Sequence, residues 1–228
     1  MKVKSILTTL IFAATVFTVS AKEDKLRQAM RAADGIVWAG LDYSLMKMIG
    51  SSNAIKAPDL LFHDMPAKWN DLFLDERIEG VAMSLEKIIH IDIAGVTERN
   101  RQLSPSQVEL NNQAKDIIKE SHISLKDIAD AVQSIKLNRK EGLGLMFLVD
   151  RMVSERKLQA TPSKIHKDAP PAYISRAGAA YVVFFDIATR EVFSARREAW
   201  PVGTGGSFRN FWFGPIKDID SQLSQYRE

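Results

Sequence analysis

The stretch that most constrains this chain is its last quarter. Ala179–Ile187 is a nearly unbroken apolar run, Ala188-Thr189-Arg190 is a tight polar turn, and Glu191–Trp200 returns toward it. Apolar runs of this length, rich in β-branched and aromatic residues, read as strands, and a three-residue link between two of them makes an antiparallel hairpin. A glycine-rich loop, Gly203-Thr204-Gly205-Gly206, follows. Beyond it Phe208, Trp212, Ile216, Ile219, Leu223 and Tyr226 recur in steps of three and four, the spacing of one helix face. Pro215 lies within that stripe and predicts a kink, because it removes a hydrogen bond and crowds the carbonyl of Phe211.

The preceding residues supply more strands and helices in alternation. Lys22–Ala33 reads as a short helix, and Ile36–Tyr43 as a central strand covered on both faces. Lys47–Pro58 reads as a connection. Asp64 with Pro66 marks a helix start carrying Trp69, Leu72 and Phe73 and running past Gly80 toward Leu85. Lys87–Ile93 alternates Ile89, Ile91 and Ile93 against His90 and Asp92, as a strand does. Ser104-Pro105 opens a helix with Leu110, Ala114, Ile117 and Ile118 on one face. Ser124 and Asp127 form a capping box for another, whose stripe is Leu125, Ile128, Ala129, Val132 and Ile135. Leu143–Val153 is a further strand, and Ala160–Ser175, with three prolines, a surface excursion. These elements predict one α/β (α+β) domain: a single mixed sheet of about five strands packed with helices, ending in an antiparallel hairpin followed by a helix.

The first residues predict export. Met1-Lys2-Val3-Lys4 is a positive leader, Ile6–Val19 an apolar core, and Val19-Ser20-Ala21 a small-residue cleavage site. Residues 1–21 are thus expected to be removed, leaving residues 22–228 as the single domain, periplasmic or secreted. The apolar core is too short to favour a spanning helix, so no stable membrane insertion is expected after cleavage. The chain has no cysteine. Lys22 stands where a bacterial lipoprotein carries its lipidated Cys, so no lipid anchor is expected; disulfides and thiol chemistry are excluded. Losing Lys2 and Lys4 from 31 basic residues leaves 29 against 28 acidic ones. A charge that close to zero gives no footprint for nucleic acid.

Residues able to carry chemistry are few. In Gly203–Ser207 the glycines Gly203, Gly205 and Gly206 can turn N–H groups inward, Ser207 can begin a helix, and Arg209 can grip an oxyanion. That suits a phosphate or carboxylate, and equally suits a plain strand-to-helix link with Ser207 as N-cap. It matches neither the P-loop nor the dinucleotide fingerprint, and no cofactor is expected. Asp42, Asp92, Asp150 and Asp186 lie in or at the ends of apolar strands. Two brought together would shift each other's pKa and serve as an acid/base pair; otherwise each ends a strand, caps a turn or meets an arginine. Asp42, after the most apolar run, is the hardest to assign to structure alone. His63, His90, His122 and His166 lie on separate elements, and His90 with Asp92 offers a metal only two ligands, so no metal site is expected. No nucleophile stands out, and the reading leans away from an enzyme. Phe211 and Phe213 fall off the main stripe of the last helix, and with Arg196 they are candidates for contact with a partner.

The segment YVVFFDIATREVFSARREAW followed by GGSFRNFW resembles small exported bacterial proteins of unknown function. More distantly it is similar to α/β domains of bacterial envelope factors: the periplasmic domain of the curli secretion-channel lipoprotein, the lipoprotein activators of penicillin-binding proteins, and the amino-terminal domain of the Tol-system propeller protein. Their shared pattern, a strand ending Asp-x-x-Thr-[Gly/Lys/Arg] before a second strand and a helix, is met by Asp186, Thr189 and Arg190, over about 50 residues. The resemblance implies a non-catalytic scaffold that binds an envelope protein or glycan, and it brings no catalytic residues. The alternative from the residues themselves is a small secreted hydrolase or a protein binding an anion or other small ligand.

Overall fold

The computed structural model describes residues 22–50, 58–110, 120–158, 172–202 and 220–227. Its spine is the antiparallel pair β5 (Leu143–Leu158) and β6 (Ala172–Asp186), continued by β7 (Val192–Val202). The predicted turn closes the β6–β7 hairpin. Asp186 Oδ1 accepts from Thr189 N (2.7 Å) and Thr189 Oγ1 (2.9 Å), and Arg190 takes the left-handed conformation at φ 62°. β5 and β6 are longer than their apolar runs: β5 continues past Val153 to Leu158, and β6 begins at Ala172, inside the expected surface excursion.

Four of the six strand pairings are parallel. β1 (Gly35–Asp42) pairs with residues 143–148 of β5, and β2 (Lys47–Gly50) pairs with residues 151–154. β6 occupies the other edge of β5 along its whole length. A strand has two edges, so β1 and β2 must lie in line on the same one. β3 (Ile88–Ile91) extends β1, and β4 (Val108–Leu110) extends β2. Seven strands therefore fill five lanes, two of which are broken into consecutive pieces. Two strands had no sequence forecast: Lys47–Gly50 reads as a connection, and Val108–Leu110 falls within an expected helix.

Helices cover both faces. The alternation of side chains along a strand sends Ile36, Trp38, Leu145, Phe147, Val182 and Phe184 to one face and Val37, Met146, Leu148, Val183 and Phe185 to the other. On the first face pack α1 (residues 22–32), α2 (Pro58–Glu76), α3 (Ile78–Leu85) and the 3-10 turn Asp220–Tyr226. Trp38 stacks on Phe73 with ring centroids 4.7 Å apart and meets Phe147 edge-on at 4.8 Å. On the second face, α5 (Leu125–Ser134) packs through Ile128, Ala131 and Val132, and α4 (Ala94–Asn100) through Val96.

The helices differ from the sequence reading in five places. The helix expected to run past Gly80 toward Leu85 is two, α2 ending at Glu76 and α3 starting at Ile78. α2 begins at Pro58 and holds Pro66 in its interior, so the favourable position of proline in a first turn belongs to Pro58. The helix expected from Ser104-Pro105 is a single 3-10 turn, Pro105–Gln107, which keeps a capping box and passes directly into β4; its later portion, residues 111–119, lies outside the described residues. Leu125, expected on the buried stripe, is 75 % exposed and lies at the wall of a surface groove beside Val192 and Ser194. Finally, Asp220–Tyr226 is 3-10, with Leu223 and Tyr226 buried as the stripe requires; the rest of the expected last helix lies outside the described residues.

Candidate functional site at the break in the sheet

The lane formed by β1 and β2 stops at residues 43–46, opposite a register shift between Val149 and Arg151 of β5. A second irregularity precedes it: Gly40, at φ +112°, lies at a register shift of β1. Backbone groups released from a ladder must find other partners, and four side chains from elsewhere supply them. Asn70 of α2 accepts from Leu41 N (2.8 Å) and donates to Leu41 O (3.0 Å). Asn100 of α4 accepts from Tyr43 N (2.6 Å) and donates to Leu41 O (2.8 Å). Gln107 donates to Ser44 O and Met46 O, each at 3.0 Å. His122 Nε2 donates to Leu45 O at 2.8 Å.

Two buried carboxylates flank the break. Asp42 is 0 % exposed; it accepts from Ser44 N (2.8 Å) and from Arg99 Nε (2.8 Å), whose Nη2 also reaches Ser44 Oγ at 2.7 Å. Asp150, also fully buried, lies 2.7 Å from His122 Nδ1 and 2.6 Å from Arg197 Nε. Burial pushes the Asp150 carboxyl up, but hydrogen bonds and charge from His122 and Arg197 outweigh it and hold the group below the usual carboxylate range. With both ring nitrogens against acceptors, His122 serves as a donor at both only when doubly protonated. The ring nitrogen that would serve a nucleophile is thus spent on the Leu45 carbonyl. Above these groups opens a cleft of about 420 Å³ whose lining includes Ser44, Lys47, Ser104, Ser106 and His122.

The four strand carboxylates do not meet as a pair. Asp42 belongs to Arg99 and Asp150 to His122 and Arg197. Asp92 accepts from Asn138 N (2.7 Å), Asn138 Nδ2 (2.9 Å) and Arg139 N (3.2 Å), and Asp186 closes the hairpin turn. His90 lies over Gly35, where an added Cβ would come 2.7 Å from its Nε2. Among the described residues no group of three or more His, Asp or Glu is placed to hold a metal, and no helix is long and apolar enough to cross a membrane. Arg196 is exposed and bonds to Gln225 (2.6 Å) and Glu198 (3.0 Å), whereas its neighbour Arg197 turns to the opposite face and Asp150. Beside Arg196 runs a groove of about 650 Å³ between α1, β7 and the C-terminal turn, with Arg27, Phe193 and Tyr226 in its wall. Gly203, Gly205, Gly206, Ser207, Arg209, Phe211 and Phe213 lie outside the described residues.

Sequence reasoning singled out Asp42 and Arg196 but missed Asn70, Asn100, Arg99 and Gln107. A signal existed for Asn70: it stands among Trp69, Leu72 and Phe73 of α2, and a polar residue on a buried stripe needs a buried partner.

Neither a protein-family model nor a curated protein sequence matches this chain. Among solved structures, it is similar to a neuraminyllactose-binding hemagglutinin homolog from Helicobacter pylori, at 12% identity and TM-score 0.30, over 85% of this chain and 78% of that one. It is also similar to the hypothetical protein CT253 from Chlamydia trachomatis, at 13% identity and TM-score 0.24, over 86% of this chain and 94% of that one. Likenesses this weak carry no argument about fold or function.

Proposed function

We propose that this chain is an exported, non-enzymatic protein of the bacterial cell envelope that binds a protein or glycan partner. The observation that carries the reading is the use made of its acidic groups. Each of the four strand carboxylates, the best candidates for acid/base work, is already consumed by an arginine, a histidine, an asparagine or a turn. The leader-like residues 1–21 and the resemblance of the closing hairpin to envelope domains support export and partner binding. The groove beside Arg196, with its mixture of rings and cations, is the surface we assign to the partner. Phe211 and Phe213, which lie outside the described residues, belong to the same proposal as candidate partner contacts on sequence grounds alone.

The test has two parts. Full-length protein is expressed in a bacterial host, and the exported form is sequenced from its N-terminus; cleavage before Lys22 is expected. The purified protein is then used against envelope extract and a glycan array, beside Arg27→Glu and Arg196→Glu variants. A specific partner retained by wild type and lost by both variants is expected. Identical retention by all three would remove the groove, and a chain recovered uncleaved in the cytoplasm would remove the export reading.

A further inference from the structure

We infer that the cleft at the break in the sheet is a binding site for a small ligand carrying an oxyanion, held by Lys47, Ser44 and the Ser104–Ser106 pair. The cleft holds about 420 Å³ and is lined by Leu45, Met46 and Ile123 as well as by polar side chains, a volume in the range of roughly 300–1,000 Å³ typical of small-molecule sites. The backbone acceptors already hold donors: the carbonyls of Ser44, Leu45 and Met46 each receive a hydrogen bond from Gln107 or His122. Asp127, the one acid among the lining residues, has Oδ2 engaged by Ser124 N (2.8 Å) and Ser124 Oγ (2.7 Å) in the capping box of α5, which leaves Oδ1 as the one carboxylate oxygen at the cleft that could oppose an anion.

The donors are in surplus. Lys47 is half-buried, and among the described residues its ammonium has no hydrogen-bond or ion-pair partner. Ser44 Oγ accepts from Arg99 Nη2 at 2.7 Å, so its own hydrogen is free, and it is polarised by the guanidinium behind it. Ser104 and Ser106 share one hydrogen between their hydroxyls, which leaves the other to donate. A half-buried cation and two free hydroxyl hydrogens, facing carbonyls that are already satisfied, complement a group that only accepts. A carboxylate and a phosphate both fit that description. This site is separate from the groove beside Arg196, and the inference does not depend on the partner proposed there.

The experiment titrates full-length protein with inorganic phosphate and with acetate at constant ionic strength, with chloride as the salt control, following melting temperature and amide chemical shifts. A saturable rise in melting temperature with one anion, absent with chloride, is expected, together with shifts concentrated at residues 44–47 and 104–107. The anion that saturates distinguishes phosphate from carboxylate. Lys47→Met should weaken binding about tenfold, as expected for loss of a charge-assisted contact, and Lys47→Arg should retain most of it. Lys126→Met, which removes the same charge from the exposed face of α5, should bind as wild type. Should Lys47→Met fail to fold by circular dichroism, Ser44→Ala and Ser106→Ala decide, each expected to weaken binding several-fold. No saturable effect from either anion, unchanged binding by Lys47→Met or by both serine variants, or equal loss in Lys126→Met would overturn the inference.

Discussion

Replacing Asp150 by asparagine tests the electrostatics beneath the break most directly. The substitution keeps the shape and removes the charge. Asp150 is 0 % exposed, with His122 at 2.7 Å and Arg197 at 2.6 Å, whose side chains keep 19% and 16% exposure. Truncating one partner of a fully buried ion pair costs about 3–5 kcal/mol, because the other charge is left without compensation. The residual solvation of His122 and Arg197 places this case at the low end, about 3 kcal/mol, which for a chain of this length is roughly 6–12 °C in melting temperature. Urea denaturation of wild type and Asp150→Asn across acid pH is the assay. Because the folded pKa of Asp150 is depressed, its contribution is complete above the unfolded carboxyl value of about 3.9 and disappears as pH falls through the lower folded value. The stability gap should therefore be full at about pH 5 and close toward about pH 2. A gap that persists unchanged to the acid limit, or an Asp150→Asn protein as stable as wild type at about pH 5, would refute the assignment of Asp150 as an ionised buried anchor.

Three further outcomes are expected. Gly40→Ala should cost about 3 kcal/mol in denaturant melts, since φ +112° is strained for any side chain and the new Cβ would come 2.9 Å from Asn70 Oδ1; combined with Asn70→Ala the loss should be less than additive, because the clash is gone. Gly95→Ala should reach the upper end of the ~1–3 kcal/mol overpacking range, as its Cβ would come 2.2 Å from the backbone oxygen of Lys136. Ser124→Ala should cost about 1 kcal/mol, seen as a small fall in melting temperature, through loss of the α5 N-cap bond to Asp127 N.

How much of this was legible in the sequence depended on length and on distance along the chain. All five lanes contain a segment recognisable as a strand: three, Ile36–Asp42, Leu143–Val149 and Val182–Phe185, because they are buried and need continuous apolar runs, and the lanes of β3 and β7 through the alternation of Lys87–Ile93 and the turn before Glu191. β2 and β4, with four and three residues, are too short for any periodicity to register. Their pairing is supported by groups remote in sequence, such as Gln107 reaching Ser44 O across 63 positions. Asp42 could be noticed as a charge at the end of a buried strand. Its partner Arg99, 57 residues away on a seven-residue helix, could not, since nothing local to either residue depends on the other.

The break itself links the fold to the proposed site through the needs of the backbone. A β1–β2 strand continuous from Gly35 to Gly50 would satisfy residues 43–46 in the ladder and leave less reason for Asn100, Gln107 and His122 to approach them. Interrupting the lane at residues 43–46 releases several backbone groups at once, and the polar side chains recruited to meet them carry further donors and charges with them. Beside them, Lys47 and the hydroxyls of Ser44, Ser104 and Ser106 line the cleft that opens at the interruption. The proposed oxyanion site therefore lies where the lane is interrupted, and restoring a regular strand by shortening the 43–46 link is expected to abolish the saturable anion effect on melting temperature together with the cleft.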